Sequence, residues 1–134
     1  MSAENDLVRG LIGRLGDDAA VVALLGDPPR VRDEPPTDAA YPWLRIGRGE
    51  SRPLTTDGGG IEHRLILTCV SRFAGAEEAR AVCAAVRAAL EDARFVSDGT
   101  RVVGLTTTAI EVSRTPDGAR TYGTVRLRAV TEDA

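Results

Sequence analysis

The stretches RVVGLTTTAIEVSR (101–114) and ARTYGTVRLRAV (119–130), joined by TPDG, restrict the fold more than any other feature of the chain. Pro116-Asp117-Gly118 is a strong turn signal: proline presets φ, aspartate bonds its own backbone and glycine accepts a positive φ. On both sides of the turn the sequence alternates with period 2, the repeat of a pleated strand. Thr106, Thr108, Ile110 and Val112 are expected on one face, and Leu105, Thr107, Ala109 and Glu111 on the other. In the second arm Val125, Leu127 and Ala129 alternate with Arg126, Arg128 and Val130. The result is a long β-hairpin, and the rest of the fold has to be built around it.

The segment IEHRLILTCVSRF (61–73) supplies a further strand. Leu65, Leu67 and Cys69 share one face and Ile66, Thr68 and Val70 the other. Both faces are largely apolar, so a central strand with cover on each side is expected. AGAEEARAVCAAVRAALEDA (74–93) follows with helical period. Ala79, Val82, Cys83, Val86 and Leu90 make its apolar stripe, while Glu78, Arg80, Arg87 and Glu91 face water. Near the N-terminus Leu7, Leu11, Ile12 and Leu15 fit one helix, started by Asn5 or Asp6 and ended at Gly16. Asp17 or Asp18 caps a second helix carrying Ala20, Val21, Leu24 and Leu25, closed by Gly26.

Between these helices and the first long strand lies DPPRVRDEPPTDAAYP (27–42), where five prolines exclude helix and central strand. A short strand is expected near Val31, and another near Phe95. After Pro42, WLRIGRGE alternates, with Trp43, Arg45 and Gly47 on one face and Leu44 and Ile46 on the other. Residues 48–60, RGESRPLTTDGGG, are polar and glycine-rich and read as a long mobile loop. The order is α-α-β-β-α-β-β. It describes an α+β fold, a mostly antiparallel sheet with N-terminal helices and one long amphipathic helix packed against it. Residues 1–134 form one domain on this reading.

Several functional classes are disfavoured by the totals. The net charge of −3 does not suggest a chain that coats nucleic acid, which needs a concentrated basic face, and all 17 basic residues are arginine. No apolar run reaches the roughly 20 residues of a membrane span, and the N-terminus lacks a signal-peptide pattern. Cys69 and Cys83 stand singly and read as buried free thiols. His63 is the single histidine, in a strand rather than a motif, and reads as structural. Asp57-Gly58-Gly59-Gly60 lacks the lysine and following helix of a phosphate loop. No spacing fits zinc or calcium. No catalytic residue, cofactor or metal is expected.

The surface that stands out is one face of the last strand. Arg120, Tyr122, Arg126 and Arg128 share parity, and Arg and Tyr are favoured at protein contacts. Arg48, Glu50 and Arg52 in the polar loop, the IEHR stretch and Trp43 offer further contact groups.

Three blocks in this order resemble the tail-completion, or tail-terminator, family of long-tailed bacteriophages and gene transfer agents. The first is Val31, Asp33, Pro35, Pro42 and Trp43, with Trp where Tyr is often found. The second is Ser71, Gly75, Glu78, Ala79, Val86, Ala89 and Leu90. The third is Pro116, Asp117, Gly118, Arg120, Gly123, Arg126 and Arg128. The order and spacing carry the resemblance, which spans nearly the whole chain. It implies a structural virion protein without catalysis. Such a protein forms a homo-hexameric ring on the head-proximal end of the tail tube, stops its polymerisation and joins the tail to the head connector or stopper protein. DNA passes through the lumen without specific binding, and there is no membrane partner. Assembly takes place in the bacterial host cytoplasm, and the final position is the head–tail junction of the virion. Two alternatives remain: a head-closure or neck protein of the same particle, and a small-molecule-binding α+β domain, which needs a closed pocket with convergent polar groups.

Overall fold

The computed structural model describes residues 2–32, 40–55, 59–72 and 76–134, with the backbone alone at Arg48. Asp33, Pro35, Phe73 and Gly75, and the Asp57-Gly58 pair, lie outside the described residues. Helices α1 (Ala3–Gly16), α2 (Ala19–Leu25) and α3 (Glu77–Leu90) accompany strands β1 (Val31–Arg32), β2 (Trp43–Pro53), β3 (Ile61–Ser71), β4 (Phe95–Ser97), β5 (Thr100–Arg114) and β6 (Thr121–Asp133). The sheet order is β1-β2-β3-β6-β5-β4. Every neighbouring pair is antiparallel except β1 with β2, so the α+β reading holds.

The β5–β6 hairpin forms as its turn chemistry requires. Gly118 sits at φ +71, and the Asp117 carboxylate accepts from the Ala119 N–H at 2.9 Å. The alternation expected along β5 does not survive intact. Extra residues interrupt the pairing with β6 between Val102 and Gly104 and between Thr107 and Ala109. Each bulge shifts the parity by one. Thr107 and Ile110 therefore share the face of Leu127 and Val125, whereas period 2 alone had put them on opposite faces.

All three helices cover one face of the sheet. Leu7, Leu11, Leu15, Val21, Leu25, Val82, Val86 and Leu90 join Leu44, Leu65, Leu67, Cys69, Val125, Leu127 and Ala129 in a single cluster. The stripe of α3 is buried as its spacing dictates. Glu78 differs, being half-buried and accepting a 2.7 Å hydrogen bond from Ser71 Oγ. Gly123 lets α3 approach β6 closely. A Cβ there would lie 2.6 Å from Cys83 Sγ and 3.1 Å from the Ala79 carbonyl.

Four further expectations need correction. β3 is central, but the helices cover only its odd-numbered face; Glu62, Ile66 and Thr68 on the other face are half-buried and Arg64 is exposed. Residues 48–53, expected in the loop, extend β2, because Glu50–Pro53 pair with Ile61–Arg64. Ser2 caps α1 through its hydroxyl, which accepts from the Asn5 N–H, while Asp6 is buried and accepts from Thr100 Oγ1 at 2.7 Å. Ile12, placed by period on the apolar stripe, is 39% exposed. Asp18 caps α2 as expected.

The prolines fix the entry to β2. Arg30 Nε donates to the Pro42 carbonyl at 3.0 Å, and the Leu44 N–H bonds the Arg30 carbonyl at 2.8 Å. The Arg72 guanidinium sits 5.2 Å from the Tyr41 ring centre, a cation–π contact at the same corner.

Candidate interface on the uncovered sheet face

The face of the sheet turned away from the helices is organised in rows set by register. At one end lies Trp43–Val70–Tyr122–Ser113, followed by Arg45–Thr68–Thr124–Glu111 and Gly47–Ile66–Arg126–Ala109. Then come Glu50–Arg64–Arg128–Thr106 and Arg52–Glu62–Val130–Gly104. Period 2 puts these side chains on one face, and antiparallel pairing sets them beside one another.

The two ends of this face differ. At the first, Trp43 is 6% and Val70 7% exposed, outside the main core cluster. Trp43 Nε1 is buried and has no hydrogen-bond partner among the described residues. At the other end Glu62 is the hub of a charge network. Its carboxylate accepts from Arg128 Nε at 2.9 Å and from Arg64 Nε at 3.1 Å. The Arg128 hydrogen bond is the chief reason that its pKa lies below the ordinary carboxylate range. Arg52 donates to Glu50 at 2.9 Å, which raises its own pKa. Beside this network is a depression of about 490 Å³, lined by Glu50, Arg64, Ile66, Thr108 and Arg126 and open to solvent.

Of the eight residues singled out in the sequence, Glu50, Arg52, Arg126 and Arg128 thus come together at one end, and Trp43 and Tyr122 lie at the other. Arg120 is not on the strand face. It belongs to the turn, where its carbonyl accepts from the Thr115 N–H at 3.0 Å. Arg48 lies at the register shift of β2 between Gly47 and Gly49. Glu62 and Arg64 were missed as site residues. Their signal was the IEHR stretch, but only the pairing of β3 with β6 sets Glu62 within reach of Arg128.

His63 is on the opposite, helix-covered face and is 1% exposed. Its Nδ1 is 2.9 Å from Ser51 Oγ and its Nε2 2.8 Å from Thr131 Oγ1. Burial lowers its pKa, against a smaller upward pull from Glu4. Both ring nitrogens are engaged, Nε2 in the interior and Nδ1 nearer the surface, which fits the structural reading. Cys69 and Cys83 are free and buried; burial pushes their thiols up to about 12 and about 11. Among the described residues no group of three or more His, Cys, Asp or Glu could hold a metal ion. No described helix is long and apolar enough to cross a membrane.

This face combines a surface charge network with an open depression, and comparison with known proteins says in what setting it stands. The family model described as tail completion protein gp17 matches residues 9–132. The chain belongs to the tail completion protein gp17 family. It is also similar to a chain of the virion of a native gene transfer agent (GTA) particle, with 26% identity, 92% of each chain covered and a TM-score of 0.81. No curated protein matches it. As a member of this family it is a structural, tail-related virion protein, and its work is done against other virion components. The family's match runs from α1 through β6, so it takes in the helix layer, the uncovered face and the hairpin that carries Arg126 and Arg128.

Proposed function

We propose that this protein forms a ring of about six copies on the head-proximal end of the tail tube, closed by rotation through head-to-tail contacts. The ring ends tube polymerisation and offers the head connector or stopper protein a surface to dock on. The observation that carries this reading is the tail completion family match over residues 9–132. The uncovered sheet face supports it, because Tyr122, Arg126 and Arg128 are residue types enriched at protein contacts; Trp43, singled out with them in the sequence, is buried and anchors the start of β2 instead.

Arg48, Glu50, Arg52 and Arg120 extend that contact surface at its margins. Pairing of Arg128 and Arg64 to Glu62 favours a protein partner over DNA, since a paired guanidinium attracts phosphate less than a free one. The net charge of −3 suits a lumen through which DNA passes without being held. On this reading the protein is assembled in the host cytoplasm, stays at the head–tail junction and has no catalytic role.

Electron microscopy of particles made without this gene tests the proposal. Over-long or ragged tails detached from DNA-filled heads are expected, because both the length stop and the joining surface are lost. Tails of normal length that only fail to join would reassign the protein to the neck. Intact particles would sink both readings.

A further inference from the structure

We propose that copies of this chain join edge to edge, the open side of β5 in one copy pairing antiparallel with the open side of β2 in the next. The inference rests on the ring proposed above and names the contact that closes it.

Both margins of the sheet are open. β4 pairs with β5 only at Thr100–Val102, and β1 pairs with β2 only at Leu44 and Arg45. Among the described residues, 103–114 of β5 and 46–53 of β2 pair with a strand on one side alone, and outside the ladders the Leu105 carbonyl accepts from the Asp92 N–H at 3.2 Å. A long edge strand presents a row of unpaired N–H and C=O groups, a template for another chain. Charges and prolines usually blunt such edges, yet β5 carries neither from Val103 to Ile110.

Strand direction suits repetition. The run β2-β3-β6-β5 alternates antiparallel throughout, so its first and last strands point in opposite directions. A second copy set alongside in the same orientation therefore presents its β2 antiparallel to β5. The alternation continues across the joint, as a repeated head-to-tail contact requires. An odd number of strands would have made the joint parallel.

The side chains at the two margins complement each other. One row of the helix-covered face runs Ile46–Leu67–Val125–Ile110. Carried across without shift, it sets Ile110, 39% exposed, against Ile46 of the next copy. On the uncovered face, Glu111 comes against Arg32 of β1, which lies outside Arg45 at that corner. All three are exposed and without an ion pair among the described residues. An open groove of about 470 Å³ between α3 and Ile110, walled by Cys83, Ala84 and Ala88, runs along the same margin.

Disulfide trapping in assembled particles tests the contact. The two native thiols are buried and stay silent to mild oxidation. Thr106→Cys combined with Glu50→Cys occupies the unshifted register, and Ala109→Cys combined with Glu50→Cys samples a shifted one. All three positions are exposed, so the variants are expected to fold. In particles with tails of normal length, a ladder of linked copies is expected from one of the double variants and from neither single variant. A ring of this chain at the tail end with only unlinked copies overturns the edge contact and leaves the ring standing. Tail ends that carry no ring of this chain overturn both. Charge exchange is the second measurement. Glu111→Arg and Arg32→Glu each lower the yield of joined particles several-fold, and the two together restore it; two losses that merely accumulate count against the contact.

Discussion

The two faces of one sheet are built on different physics. On the covered face, Leu65, Leu67, Val125 and Leu127 meet three helices, and the contribution is non-directional burial, roughly 1.5–3 kcal/mol for each fully buried aliphatic side chain. On the uncovered face, the side chains one residue away are Arg64, Ile66, Arg126 and Arg128; geometry-dependent hydrogen bonds to Glu62 hold Arg64 and Arg128, while Ile66 and Arg126 line the open depression. Adjacent residues of the same strand thus serve different ends. One set decides whether the chain folds, and the other what the folded chain can touch.

The sharpest way to break this comparison is to truncate neighbours in β6. Leu127→Ala removes a side chain that is 2% exposed and is expected to cost about 2–5 kcal/mol, read from the denaturant midpoint. If it proves as mild as a surface change, the covered face is not the source of stability.

His63 offers a polar test of the same face. Burial holds its pKa below the usual 6.5, so the folded state resists a proton that the unfolded chain accepts. Stability is then fully present above pH 6.5 and is lost as pH falls through that value toward the lower folded pKa, by at most about 1.4 kcal/mol per pH unit. Unfolding curves between pH 7.5 and 5 should show this fall in the parent protein and lack it in His63→Gln. Parallel pH profiles for the two proteins would assign the effect elsewhere.

The smallest effect is expected on the uncovered face. Glu62→Gln removes the charge that Arg128 and Arg64 share, yet the network stands at the surface, where solvent and salt screen it. Its unfolding midpoint should move far less than that of Leu127→Ala, while the yield of joined particles falls. A large loss of stability with normal particle yield would reverse the assignment of the two faces.

Local chemistry determined much of this protein before any contact was known. The Thr115–Gly118 turn, the 3.6 period of α3, the proline-bound entry to β2 and the parity of Tyr122, Arg126 and Arg128 are properties of short stretches, and they could be read as such. The blocks around Trp43, Glu78 and Arg126 likewise pointed to the family. Other features depend on residues far apart in the chain, and only the tertiary structure decided them. The bulges beside Val102 and Thr107 arise from pairing with β6, so period 2 along β5 alone missed them. Glu50 and Arg52 read as loop because they are polar, yet β3 supplies the backbone partners that make them strand. Ser71 bonds Glu78 across the β3–α3 connection, and Glu62 meets Arg128 across 66 positions of sequence. Which face the helices cover was also settled at this level. A strand with apolar residues on both sides does not say which side is covered, and the positions of Leu7, Val21 and Val86 against Leu67 and Leu127 do.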